Sequence, residues 1–92
     1  MNLVWTEFAW DEYLYWQATD KKLLRRINDL IRDIKRSPYE GIGKPEALKF
    51  NLTGKWSRRI NDVHRLVYEV NGVDERLREK GLLIIYQCKY HY

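Results

Sequence analysis

One stripe of aliphatic residues constrains this chain more than any other feature. Leu23, Leu24, Ile27, Leu30, Ile31 and Ile34 recur at the spacing of a single apolar face on a 3.6-residue helix. Arg25, Arg26, Arg32, Asp33 and Arg36 take the opposite side. A helix of this kind must lay its apolar face on a second layer of structure. Ser37-Pro38 ends it, because the residue before a proline is pushed out of the helical region. Asp20 is placed to cap its start. Upstream, Thr6 is a candidate cap and Glu7 suits a positive helix N-terminus, so a first helix is expected from about Glu7 to Gln17, with Trp10, Tyr13 and Leu14 at helical spacing. Two helices with so short a link form a hairpin.

The remainder reads as sheet. "NLVW" opens the chain as a short strand. "SPYEGIGKPEALKFNLTGK" has no period and carries turn residues, which marks a loop of functional length with a short strand or turn near Ala47 to Phe50. "WSRRI" and "VHRLVYEV" are strands joined at Asn61-Asp62. "NGVDERLREKG" is a charged connection bracketed by Gly72 and Gly81, and "LLIIYQCKYHY" is the last strand. The fold class expected is α+β: a helical hairpin on one face of a twisted antiparallel sheet, in one domain spanning residues 1–92.

Composition narrows the function. With 45% hydrophobic residues, four Trp and seven Tyr, the chain is far from disordered compositions. A net charge of +4, with clusters at Lys21-Lys22, Arg25-Arg26 and Arg58-Arg59, favours an acidic partner such as nucleic acid, although the first two clusters also fit a solvated helix face. Cys88 is the one cysteine, so no internal disulfide forms. No apolar run approaches a membrane span and no signal peptide is visible, so a cytoplasmic protein is expected. No metal-ligand spacing, phosphate-cradling glycine loop or Ser/His/Asp signature is present, so neither metal nor cofactor is expected.

Period-two alternation along the last two strands puts Arg65 near Lys89 and His91, on the sheet face away from the helices. An arginine fork binds phosphate in bidentate fashion, and a histidine titrates near neutrality. The carboxylate to complete such a set is Glu46 in "GKPEAL", with Glu40 as the other loop candidate. Together they suit metal-free cleavage of RNA. On spacing alone the set is unspecific, since scattered Glu, His and Arg on a basic domain are usually structural or solvated. His64 shares a face with Leu66 and Tyr68 and reads as a packed or hydrogen-bonded structural histidine, and Cys88 as a buried thiol.

The motifs themselves are more specific. "W-x-E-x-x-W-D-x-Y-L-Y-W-Q", "SPYEGIGKPE", "GKWSRRI", "HRLVY" and the terminal "YHY" resemble, in order and over nearly the whole chain, the YoeB toxins of the RelE-like superfamily. The resemblance implies a microbial-ribonuclease-like fold and cleavage of messenger RNA in the ribosomal A site. It implies neutralisation by a YefM-like antitoxin. It further implies that Glu46 is the general base, that Arg65 stabilises the transition state, that His91 is the general acid and that Tyr92 orients the substrate. Arg59 and Lys49 would hold phosphate, as Lys89 would on the parity argument. Two departures stand out: Val63 replaces an acidic residue that could orient Arg65, and residues 71–81 are longer than the family's tight turn. The Trp- and Tyr-rich first helix carries more apolar surface than one core uses, which leaves a homodimer open. The alternative is a catalytically weakened module that holds RNA or antitoxin without cutting, which Val63 would favour. A DNA-binding repressor subunit fits less well, because the basic helix lacks a second recognition helix.

Overall fold

The computed structural model describes residues 1–74 and 79–91. The elements in chain order are β1 (Asn2–Trp5), α1 (Glu7–Thr19), α2 (Lys21–Arg36), β2 (Glu46–Ala47), a 3-10 turn (Phe50–Leu52), β3 (Trp56–Arg59), β4 (Arg65–Asp74) and β5 (Glu79–Gln87). The helices begin where the capping residues stand. Ala9 N donates to Thr6 Oγ1 at 3.1 Å, and Leu23 N to Asp20 Oδ1 at 3.0 Å. Each cap satisfies a backbone donor that has no partner inside its helix. α1 runs two residues past the expected Gln17, to Thr19, whose hydroxyl bonds back to the Tyr15 carbonyl at 2.7 Å.

Leu23, Ile27, Leu30, Ile31 and Ile34 of α2 are buried, as their stripe requires. The buried side of α1 differs from the expected one. It is Ala9, Glu12 and Trp16, while Trp10 and Leu14 are substantially exposed. Trp10 instead joins Trp5 and Tyr13 in an aromatic cluster at the edge of the core, with ring centroids 4.7–5.8 Å apart. The helices and one sheet face enclose Leu66, Tyr68, Leu83, Ile85 and Cys88, all fully buried.

The sheet has five strands in the order β1-β5-β4-β3-β2. Four of them form the expected antiparallel array, while β1 pairs parallel to β5, so the sheet is mixed. The charged connection is shorter than its sequence suggests. Strand pairing continues through Gly72 and Gly81 to Val73 opposite Lys80 and Asp74 opposite Glu79. Gly72 and Gly81 have φ of +72° and +61°, values that favour glycine. The tip of that connection, residues 75–78, lies outside the described residues.

A second difference decides where the chain end goes. Val67 pairs with Gln87 but Tyr68 with Ile85, so Tyr86 is an extra residue in β5. Such a bulge reverses which face the following residues take. Ile85 therefore points into the core while Gln87 shares the opposite face with Val67, and Cys88 returns to the core. β5 then stops at Gln87 rather than running to Tyr92. Unbroken alternation, which would have put Leu83 and Ile85 on the face away from the helices, is overturned by the burial of both.

Candidate active site

The sheet face opposite the helices carries a polar row. Directly paired residues share a face, and Glu46 pairs with Ser57, Ser57 with Val67, Val67 with Gln87, and Arg59 with Arg65. At the end of this row Lys44, Glu46, Ser57, Arg59, Arg65 and His91 line a cleft of about 270 Å³. The structure thus brings together Glu46, Arg59, Arg65 and His91 from four separate stretches of chain. Lys49 lies outside that cleft but lines an adjoining hollow formed by residues 46–52, with Glu46 common to both. Lys89 does not join them. Its Nζ sits 3.9 Å from the centroid of the Tyr15 ring and 5.2 Å from that of Tyr90, on the helix side, because the chain has left β5 and strand alternation no longer applies. Tyr92 lies outside the described residues.

Arg65 is buried, and its orientation comes from backbone. Nη1 donates to the carbonyls of Asn61 at 2.7 Å and His64 at 3.0 Å. Those carbonyls are fixed by an Asx turn in which Asn61 Oδ1 accepts from the backbone N–H groups of Val63 and His64 at 2.9 and 2.7 Å. Val63 is 54% exposed and takes part through its backbone N–H. A carboxylate at that position is therefore not needed to aim Arg65.

His91 is held by the segment that carries it. Glu12 Oε1 accepts from Cys88 N at 2.8 Å, and Trp16 Nε1 donates to the Cys88 carbonyl at 2.8 Å. Tyr90 N donates to His64 Nδ1 at 2.7 Å, and Arg65 N to the Tyr90 carbonyl at 3.1 Å. The Gln87 side-chain amide then donates to the carbonyls of Lys89, Tyr90 and His91 at 2.9, 3.3 and 3.0 Å. Backbone donors and acceptors that a strand would have paired are thus taken up by side chains. Burial pushes the Glu12 carboxyl up, opposed by its bond from Cys88 and by Lys89. Burial and nearby Lys89 push His64 down, opposed by Asp20, so its neutral form is favoured and Nδ1 is free to accept. The Cys88 thiol is pushed up to about 12 by burial and by Glu12, a poor state for a nucleophile.

Arg58 was grouped with Arg59 as surface charge, yet it is fully buried under the other side of the sheet. Its guanidinium donates to Asp33 Oδ2 at 2.5 Å and to the carbonyls of Ile42, Ser37 and Glu40 at 3.0, 2.7 and 2.9 Å. Nε reaches Tyr68 Oη at 3.2 Å, and that hydroxyl donates to the Pro38 carbonyl at 2.7 Å. One side chain therefore gathers residues 37–42, the lead-in to Lys44 and Glu46. Gly43 follows with φ +82°, and a Cβ there would come within 2.8 Å of Leu30 Cδ2 and 3.1 Å of the Arg59 carbonyl. That close approach lets Arg59 N bond to the Gly43 carbonyl at 2.7 Å, which docks the loop on β3. The available clue to Arg58 was its parity in "WSRRI", where it alternates with Arg59 and falls on the helix side.

Backbone strain concentrates here as well. Among the described residues, the non-glycine positions with positive φ are Lys44 (51°), Phe50 (57°) and Tyr90 (63°). Lys44 lines the cleft, Tyr90 precedes His91, and Phe50 lines the adjoining hollow. Such positions cost energy and gather at functional sites. Among the described residues no group of three His, Cys, Asp or Glu is placed to hold a metal ion, and no helix is long and apolar enough to cross a membrane.

Residues 5–92 match the family model of the YoeB-like toxin of bacterial type II toxin–antitoxin systems. Toxin YoeB of Escherichia coli strain K12 is 54% identical over 92 residues, covering all of both chains. Among solved structures, the YoeB/ParE toxin from Agrobacterium tumefaciens superposes with a TM-score of 0.91 at 49% identity over the full length of both chains. The toxin chain of the heterotetrameric YoeB-YefM toxin–antitoxin complex from Staphylococcus aureus gives 0.85 at 46%, covering all of this chain and 98% of that one.

Proposed function

This chain belongs to the YoeB-like toxins of bacterial type II toxin–antitoxin systems, and on that premise we propose that it is a ribosome-dependent endoribonuclease that cuts messenger RNA in the A site. The observation that carries the reading is the meeting of Glu46, Arg59, Arg65 and His91 in one cleft on the open face of the sheet. In the reaction, Glu46 takes the proton of a ribose 2′-hydroxyl. The freed oxygen attacks the adjacent phosphorus and the bond to the 5′-oxygen breaks, leaving a 2′,3′-cyclic phosphate. His91 gives a proton to the departing oxygen. Arg65, aimed by backbone carbonyls, and Arg59 face the charge that grows on the phosphoryl oxygens. Lys49 holds a flanking phosphate, and Tyr92 orients the substrate beside His91. Lys89 steadies the terminal segment from the helix side, outside the cleft.

The weakened-module alternative rested on Val63; the backbone carbonyls that bond Arg65 favour the active reading over it. The S. aureus relative forms a complex with YefM, which supports neutralisation of this chain by a YefM-like antitoxin. The test is to map transcript 5′ ends after induction without antitoxin, with His91→Ala and Glu46→Ala as folded controls. New ends and growth arrest are expected with the native chain and neither with the variants. Undiminished cutting by His91→Ala would remove it as the acid.

A further inference from the structure

Phe50 is the most water-exposed large hydrophobic residue described, at 90% exposure against 64% for the next, Phe8. Among the described residues it is also one of the three non-glycine positions with positive φ, a genuine outlier for a bulky side chain. Burial does not account for this, so the ring is held in water in a strained conformation. The turn that presents it is well tied. Its carbonyl accepts from Thr53 N at 3.1 Å and Thr53 Oγ1 at 2.7 Å, while Leu52 N bonds to the Lys49 carbonyl and Lys55 N to the Leu52 carbonyl, each at 3.0 Å. Its place is specific. The hollow of about 470 Å³ that it lines shares Glu46 with the cleft and includes the cationic Lys49 next to it in sequence.

A rigid exposed ring, a neighbouring ammonium and a shared wall with a phosphate-binding cleft together make the two halves of a nucleotide site. We propose that Phe50 is a stacking platform for a nucleobase flanking the cleaved phosphodiester, with Lys49 on that nucleotide's phosphate. A single-stranded RNA then lies across both hollows, with its reacting phosphate over Arg59 and Arg65 and a neighbouring base on Phe50. Any base has a face to offer the ring, so the contact adds affinity and register with little sequence preference. This inference rests on the ribonuclease reading.

The experiment measures binding of a non-cleavable 2′-O-methyl hexanucleotide to the full chain, alongside a set of the same oligonucleotide with one base removed at each position in turn. Phe50→Ala is expected to weaken the intact probe about 5- to 150-fold, which corresponds to ~1–3 kcal/mol of base stacking. Phe50→Trp should restore affinity and Phe50→Leu should not. One abasic probe should bind native and Phe50→Ala protein alike, identifying the stacked nucleotide. Equal binding of the intact probe by native and Phe50→Ala protein overturns the proposal, as does full rescue by leucine. So does a Phe50→Ala variant that loses only ribosome or antitoxin binding while keeping the oligonucleotide. A Phe50 dependence that stands while His91→Ala still cleaves leaves the platform intact and sinks the acid assignment instead. A native protein that binds no oligonucleotide overturns the platform and leaves the acid assignment to the cleavage assay.

Discussion

Replacing Arg58 with methionine tests an arginine whose partners are all within the fold. The native guanidinium, with no solvent exposure, makes bonds to Asp33, to three backbone carbonyls of residues 37–42 and to the Tyr68 hydroxyl. Methionine keeps much of the volume and none of these bonds. Asp33 retains its bond from Arg36 at 2.5 Å and from Ile42 N at 3.0 Å, so it is not wholly orphaned. The carbonyls of Ser37, Glu40 and Ile42 lose a charged donor. Removing one partner of a buried, hydrogen-bonded ion pair costs about 3–5 kcal/mol. A chain of this length has a total stability of roughly 5–14 kcal/mol, so the variant keeps between essentially none and about four fifths of it. Urea unfolding followed by tryptophan fluorescence should show a midpoint falling in proportion, and Tm should drop by at least ~12 °C at about 4 °C or more per kcal/mol. At a temperature where the variant is folded, RNA cleavage should also fall, because the loop that presents Lys44 and Glu46 has lost its anchor. Asp33→Asn combined with Arg58→Met should cost less than the sum of the two single changes. A loss below ~1 kcal/mol in Arg58→Met, with native activity, would refute the claim that this side chain holds the loop.

Other outcomes follow from the terminal segment and the buried titratable groups. Gln87→Ala should leave the protein folded but lower the cleavage rate constant on ribosomes more than the KM, since the three carbonyls it gathers position His91 and not the RNA; an equal loss in KM alone would contradict this. His64 is held neutral by burial, so the unfolded chain binds a proton that the folded chain resists, and stability should decline as pH falls below about 6.5. His64→Phe should flatten that slope in urea titrations at pH 5.5 and 7.5, and an unchanged slope would point to another group. Asp33 is lowered to about 2 by its hydrogen bonds from Arg36 and Arg58, so its contribution is present above about pH 3.8 and is lost as pH falls towards 2. Asp33→Asn should therefore show a shallower acid-unfolding profile. The buried thiol of Cys88 should resist a thiol reagent at pH 8 until denaturant is added; rapid labelling of native protein would show that the segment opens.

Much of the architecture was legible because it follows from periodicity. The Leu23 to Ile34 stripe, the Thr6 and Asp20 caps and the Ser37-Pro38 stop each depend on local chemistry, and each appears where that chemistry puts it. The family motifs named the residues that meet in the cleft. What was not legible depends on distant partners. Trp10 is spaced like a core residue, but Glu12 takes the inner face because Cys88 N supplies a bond for a buried carboxylate. Arg58 and Arg59 are indistinguishable as text; the acceptors that make one of them structural lie 16–25 residues away. Alternation misplaced Leu83 and Ile85 because one extra residue at Tyr86 breaks the period, and it misplaced Lys89 because the strand ends at Gln87.

The parallel pairing of β1 with β5 has a consequence for how the molecule comes into being. Asn2 must find Leu82, and Trp5 must find Ile85, across nearly the whole chain. Contacts of that sequence separation close late in folding. β5 is inserted between β1 and β4, and the segment that follows it carries His91. A chain that has formed its helical hairpin and the β2–β4 array therefore has Glu46, Arg59 and Arg65 in place but lacks His91, the proposed general acid. Completion of the sheet and assembly of the full cleft are one event, so on the proposed function stopped-flow refolding should show cleavage activity appearing with the slowest folding phase, with no active intermediate before it.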